Sequence, residues 1–323
     1  MTATTAPATV ARTAVRTRKF HGDKPTLRRQ LVLQALCLLI LLTVLFPIIW
    51  VVSLSLDPLN RSRPEGLSLI PSNATLEAYA QVIKQPTNNP IDFIGLALNS
   101  VKIALGSSIF SVLIGVSAAY AFSRLRFRGR EVLMIVILAV LMLPAVATLT
   151  PLFVFLNQIR LDQVPLLGPV VKGVFGSFNL RDSILGVTLA VISGLLPFAI
   201  WNLKGYLDTI PRELEEAAAV DGATTNQTFF KIVLPLAMPA LAVTAFLGFV
   251  SGWTEFYFSW MFLTKSSDET LAMALYSMQG AFTSTPWSLF SAFAVLVALP
   301  PAVVYFFAQR YITSGLAIGA VKG

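Results

Sequence analysis

The chain has 323 residues, 55% of them hydrophobic and only 12% charged, with a formal net charge of +8. A soluble domain carries about twice that charged fraction, so a soluble enzyme is disfavoured, and a disordered chain would need low hydrophobicity and high charge. One cysteine, Cys37, rules out a disulfide framework and a thiolate metal site, and one histidine, His21, rules out a His-based metal cluster. The basic balance fits either nucleic acid or a membrane protein with Lys- and Arg-rich cytoplasmic loops, and a mean hydropathy of +0.73 favours the second.

A membrane-crossing helix needs roughly 20 mostly apolar residues to cover ~30 Å of hydrocarbon. In chain order, 31–56 is uncharged and too long for a signal-peptide core, which predicts an uncleaved first span. The second lies at 103–123, with its helix beginning near Ala97, and the third at 132–159 between Glu131 and Arg160. The fourth is 183–203, the fifth 232–254 with an apolar continuation through 256–263, and the sixth 289–308. The expectation is an all-α integral membrane protein with six transmembrane helices. Residues 1–30 form a basic, disordered tail, 31–312 the membrane domain with a cytoplasmic loop at 204–231, and 313–323 a second tail.

The stretch 164–180 holds Pro165, Gly168, Pro169, Lys172, Gly173 and Gly176. An irregular backbone leaves polar groups unsatisfied in lipid, so this segment reads as a loop or an interfacial helix. Prolines at 47, 144, 151, 197, 235, 239, 300 and 301 fall in or near spans, and kinked or broken helices are common in transporters. Under this topology the two tails and the loops at 123–131 and 204–231 hold sixteen Lys and Arg, against seven in the opposite loops. That asymmetry puts both termini in the cytoplasm.

No G-x-x-x-x-G-K-[ST], H-E-x-x-H, C-x-x-C or G-x-S-x-G occurs, so no phosphate-binding loop or familiar catalytic motif is present. Only Glu255, and marginally Lys102, lie at membrane depth. A proton-driven carrier would be expected to hold several such groups as a relay, and their scarcity argues that energy enters from elsewhere.

The segment 207–239 reads LDTIPRELEEAAAVDGATTNQTFFKIVLPLAMP. Asp208 and Thr209 are capping candidates ahead of Pro211, which suits a first helical turn. Glu213, Glu215 and Glu216 favour the positive end of the helix dipole. Leu214, Ala217 and Ala218 make a smooth apolar strip. Gly222 fits the left-handed position that ends a helix, and Thr224-x-x-Gln227 matches a capping box opening a second one. This is a helix–turn–helix at the cytoplasmic face. It reads either as a solvated amphipathic loop or as a surface shaped to dock on another protein.

Glu216-Ala217-Ala218, Asp221-Gly222-Ala223 and Ile232-x-Leu234-Pro235 resemble the EAA signature of permease subunits of bacterial ABC importers. More narrowly, the chain after about residue 30 resembles the smaller permease of maltose-type carbohydrate importers, the MalG-like proteins. Arg124–Arg130 after the second span and the ending Ser314-Gly315-Leu316 through Gly319-Ala320-Val321-Lys322-Gly323 support this. The resemblance implies the type I ABC importer permease fold and a complex with a second permease, two ATP-binding subunits and an external solute-binding protein. This chain would bind no cofactor, since ATP and Mg belong to the ATPase subunits. Glu216, Ala217, Ala218, Asp221, Gly222 and Ala223 would form the coupling helix that sits in an ATPase cleft. Gly319, Val321, Lys322 and Gly323 would reach the ATPase interface, and the loop 279–287 would touch the binding protein.

Glu255 stands among Trp253, Tyr257 and Trp260. Aromatic faces with a carboxylate suit a sugar path through Trp253, Glu255 and Tyr257. Interfacial aromatics and a carboxylate bonded within the bundle explain the same residues. A permease for glycerol phosphate or amino acids, or a secondary carrier, remain the alternatives in function.

Overall fold

The computed structural model describes residues 27–58, 71, 73–159, 179–280 and 285–320. The tail before residue 27, the ambiguous stretch up to 178 and Val321–Gly323 lie outside them. The described residues are helical, without a β-strand. The chain divides into two units, 1–48 and 49–323. The described part of the first belongs to α1 (Leu27–Ser55), whose side chains from 27 to 49 are exposed. At 1.5 Å per residue α1 is about 44 Å long, enough to cross a bilayer, and a helix apolar all round belongs in lipid.

The second unit is built on α3 (Phe93–Arg124), which packs against α6 (Ile184–Leu207) and α9 (Met238–Trp253). The last of these also packs on α12 (Trp287–Ala320). Apolar surface drives no association inside lipid, so small residues and interhelical hydrogen bonds hold such helices together. Gly252 shows this directly: a Cβ there would lie 2.7 Å from Ala104 Cα and 2.9 Å from the Ile103 carbonyl oxygen. Ser108 Oγ donates to the Ala245 carbonyl at 2.7 Å, and Asn202 Nδ2 to Thr244 Oγ1 at 3.1 Å.

Among the described residues, four helices are individually long and apolar enough to cross a membrane, and a fifth crossing arises if one bent pair is counted as a span. The third expected span, 132–159, is not continuous. It consists of α4 (Arg130–Val140), a 3-10 turn (Ala145–Thr148) and α5 (Leu149–Gln158). Pro144, extended at φ −64 and ψ 130, interrupts it. Proline has no N–H to donate and pushes the preceding residue out of the helical region. Eleven residues of α4 reach only about 17 Å, short of the hydrocarbon thickness.

The fifth expected span also starts later than the hydropathy suggests. Helix α8 (Thr225–Leu236), with a π turn at Phe229–Val233, meets α9 at Ala237 with a bend of 74°. Pro235 and Pro239 flank the bend, and each removes a backbone donor. Residues 232–236 therefore belong to the loop arm. The apolar continuation past Glu255 is a separate helix, α10 (Tyr257–Phe262).

Two short helices went unread in the sequence. The first, α2 (Glu77–Lys84), buries Ala78 and Val82, four residues apart on one face. The second, α11 (Leu271–Ser277), is capped by Thr270 and buries Leu271 and Ala274. Glu269, just before it, is 4% exposed and accepts a hydrogen bond from Asn89 Nδ2 at 2.5 Å. Asn99 Nδ2 donates to the carbonyls of Ser267 and Glu269, and Lys102 Nζ to Asn99 Oδ1. Lys102, exposed on α3, thus bonds within its own helix.

Candidate functional site

The loop after α6 carries α7 (Glu213–Val220) and α8. The turn between them is fixed by backbone chemistry. Gly222 has φ +83, its N–H donates to the Ala219 carbonyl at 3.1 Å, and the Ala223 N–H donates to the Ala218 carbonyl at 2.9 Å. This pair of bonds is a Schellman motif, which needs a left-handed residue at that position and so favours glycine. A Cβ at Gly222 would meet nothing within 4 Å of this chain, so the constraint from this chain is conformational. Thr224 and Gln227 then form the expected capping box, each side chain bonding the other's backbone N–H at 3.3 and 2.9 Å.

The start of α7 departs from the sequence reading. Neither Asp208 nor Thr209 caps it; the N-cap position is Arg212, with no side-chain cap. Thr209 Oγ1 donates back to the Tyr206 carbonyl. Asp208 accepts from Lys204 Nζ and Ser123 Oγ, both at 2.6 Å. Burial opposes ionisation of Asp208, but those two hydrogen bonds and the charges of Lys204 and Arg124 outweigh it and hold the carboxyl below its ordinary range.

The loop is clamped to the end of α3. Arg124 Nε donates to Glu215 Oε1 at 2.5 Å, with the two side chains only 8% and 15% exposed. Tyr120 Oη donates to the other oxygen at 3.1 Å, and Arg124 Nη2 to the Ile210 carbonyl at 2.9 Å. Arg212 Nη2 donates to the Ser123 carbonyl at 2.9 Å. Sequence reasoning missed Glu215 as a separate actor because three glutamates crowd one turn. The available signal was helical spacing, since Glu215 and the buried Ala218 are three residues apart and share a face.

Among the candidates for a partner-facing surface, Glu216, Ala217, Asp221 and Gly222 are exposed, Ala223 is half-buried, and Ala218 is buried. The apolar strip therefore divides, with Leu214 and Ala217 outside and Ala218 inside. Val220 is 88% exposed and Phe230 62%, so this polar-ended loop presents bare apolar side chains beside its turn. Gly319 lies in the final turns of α12, whereas Val321, Lys322 and Gly323 fall outside the described residues.

The candidates near the end of α9 have different surroundings. Trp253 is 2% exposed, stacks on Phe249 and donates from Nε1 to the Val297 carbonyl at 3.1 Å. Glu255 accepts from the backbone N–H groups of Phe258 and Ser259 at 2.6 and 2.9 Å, and from Ser259 Oγ. It caps the first turn of α10, where a carboxylate meets unpaired N–H groups and the positive end of the dipole. Tyr257 is 61% exposed.

Residues 111–318 match the family model of the binding-protein-dependent transport system inner membrane component. The trehalose/maltose transport system permease protein MalG of Thermococcus litoralis is 33% identical, covering 86% of this chain and 92% of that protein. The galactooligosaccharides transport system permease protein GanQ of Bacillus subtilis is 30% identical, covering 87% and 91%. In structure, the chain resembles a bacterial ABC transporter involved in alginate import, with a TM-score of 0.68 at 23% identity, over 87% of this chain and 95% of that one. The family match takes in the end of α3, the whole clamped loop and α9, and with those relatives it shows that this chain belongs to the binding-protein-dependent transport system inner membrane components.

Proposed function

We propose that the chain is the membrane-spanning permease subunit of an ATP-driven carbohydrate importer, and that the α7–α8 loop takes up the stroke of a separate ATPase. The observation that carries this reading is the division of labour in α7. Glu215 is consumed inside the chain, while the neighbouring Glu216 stands free beside the Gly222 turn. A loop that served only as a link between spans would have no use for an exposed carboxylate and bare apolar groups on a rigidly capped turn.

The complex would contain a second permease, two ATP-binding subunits that use ATP and Mg, and an external solute-binding protein. The Lys and Arg asymmetry supports an orientation with both termini and the α7–α8 loop in the cytoplasm. Carbohydrate is favoured over glycerol phosphate or amino acids because relatives across most of the chain are trehalose/maltose and galactooligosaccharide permeases. Within the loop, Glu216 would pair with a basic group at the rim of the ATPase cleft, with Ala217, Asp221, Gly222 and Ala223 forming the docked surface and Ala218 supporting it from within. The tail from Gly319 to Gly323 would add a second ATPase contact.

The test is reconstitution with the partner subunits. Glu216→Ala and Gly222→Val should insert in the membrane but lose uptake, and either retain less ATPase or hydrolyse ATP without transport. A side chain at Gly222 strains the left-handed turn by ~1–2 kcal/mol. Normal uptake and normal ATPase retention in both variants would remove this loop as the coupling element.

A further inference from the structure

Beyond the loop, the outer end of α9 holds a small cleft of about 260 Å³ lined by Trp253, Thr254, Phe256, Tyr276, Gln279 and their neighbours. Phe256 and Tyr276 form its aromatic walls, with ring centroids 4.7 Å apart and planes at 41°. Tyr276 is 48% exposed although its ring is fixed on two sides. Trp260 meets it edge to face at 5.1 Å and 70°, and also lies 5.6 Å from Phe256. The elements that carry these rings are held by separate anchors: Glu255 caps α10, Thr270 caps α11, and Trp253 is tied to α12.

We propose that this cleft is a carbohydrate subsite that takes one pyranose ring at the chain's outward face, with Tyr276 as the stacking surface. The proposal rests on the carbohydrate-permease reading. The C–H face of a pyranose is apolar and stacks on an aromatic ring, while its rim of hydroxyls needs donors and acceptors. Tyr276 Oη and the Gln279 amide border the cleft with such groups, and Thr254 Oγ1, whose hydrogen goes to the Val250 carbonyl at 2.9 Å, adds an acceptor. No hydrogen bond from Tyr276 Oη occurs among the described residues, in contrast to Trp253 Nε1. Pockets that enclose drug-sized ligands run to roughly 300–1,000 Å³, so this cleft suits a single ring of a longer chain. Trp260 is a positioning residue: it braces Tyr276 and does not line the cleft. The subsite thus shifts the sugar path away from Trp253 and Glu255, whose polar atoms are engaged within the chain, onto α11.

The experiment uses the full importer in lipid nanodiscs, biosynthetically labelled with 5-fluorotryptophan, with the Trp253 resonance identified from its loss in Trp253→Phe. Maltose, trehalose and a galactooligosaccharide are the probes. The expected result is a saturable shift of the Trp253 resonance with at least one of them, absent in Tyr276→Ala and retained in Tyr276→Phe. Uptake should fall about tenfold in Tyr276→Ala, the scale of one lost aromatic contact, and mostly survive in Tyr276→Phe. Gln279→Ala should weaken the titration without abolishing the stacking shift. If the unaltered complex transports a probe but the Trp253 resonance does not move, the cleft is no subsite. Normal uptake in Tyr276→Ala, with quenching of Trp260 by brominated lipid, would make the cluster an interfacial anchor and overturn the proposal. Failure of the unaltered complex to transport any of the sugars would instead overturn the carbohydrate reading, and the subsite with it.

Discussion

Replacing Arg124 by Met should loosen the α7–α8 loop from α3 without displacing the helices themselves, leaving Arg212 and Asp208 on Ser123 among its remaining polar ties. Glu215 would be left 15% exposed with only Tyr120 as a side-chain partner, and the Ile210 carbonyl would lose its donor. Removing one member of a buried pair costs ~3–5 kcal/mol. The residual exposure of both groups lets water screen the stranded carboxylate, which brings the figure to about 2–3 kcal/mol. At 1.4 kcal/mol per tenfold, the anchored form of the loop should lose roughly 30- to 150-fold in population relative to released forms. A cysteine at the buried Ser123, beneath the Arg212 contact to its backbone carbonyl, reports this by its labelling rate in a Cys37→Ser background, with Ser123→Cys alone as the baseline because it already lacks the hydroxyl's bond to Asp208. Uptake per ATP hydrolysed, measured in proteoliposomes with the partner subunits, should fall while retention of the ATPase is unchanged, because the docking surface proposed around Glu216 and Gly222 is left intact. The double variant Arg124→Met with Glu215→Leu should recover much of the ratio, because an apolar pair of similar volume avoids the stranded charge. An unchanged labelling rate and an unchanged uptake-to-hydrolysis ratio in Arg124→Met would refute the clamp.

Gly252→Ala should already destabilise the α3–α9 contact, and Gly252→Leu should do so by ~1–3 kcal/mol or more, because besides Ser107 Oγ the obstacles include backbone atoms of Ala104 and Ile103, which cannot rotate away. Thermal aggregation in detergent measures it, and equal stability of all three proteins would contradict the close approach. Glu255→Gln should weaken the cap of α10, since an amide oxygen accepts the Phe258 and Ser259 N–H bonds less strongly than a carboxylate. Local hydrogen exchange at those two amides should rise, and no change would show the cap is unimportant. The Asp208 carboxyl is held below its ordinary range, so its stabilising contribution is full above the unfolded-state value and fades as pH falls through the folded one. Labelling of a loop cysteine that leaves Ser123 in place, divided by the rate of a fully exposed reference cysteine to remove the thiolate dependence, should therefore be flat around neutrality and rise only in acid, and Asp208→Asn should remove the acid step.

What the sequence determined by itself was whatever a few neighbouring residues can specify. Hydropathy marked the four long helices because burial in lipid is a summed property of 20 consecutive side chains. Gly222, Thr224 and Gln227 announced their turn and capping box because those bonds close within three to five residues. Local rules erred where a local signal had two outlets. Pro144 was readable as a tolerated kink but breaks the stretch, and Pro235 was readable as the start of a span but lies before a 74° bend. Asp208 was readable as a cap but turns to Ser123 and Lys204. Helical spacing put Glu215 on the face of the buried Ala218, but only the tertiary structure supplied its partner, because Arg124 lies 91 residues away. It also decided that Glu269 meets Asn89, 180 residues away, that Trp253 serves the core, and that Tyr276 comes to stand beside Phe256 and Trp260. Such pairs have no spacing in the chain; they exist only once α3, α9, α11 and α12 have packed.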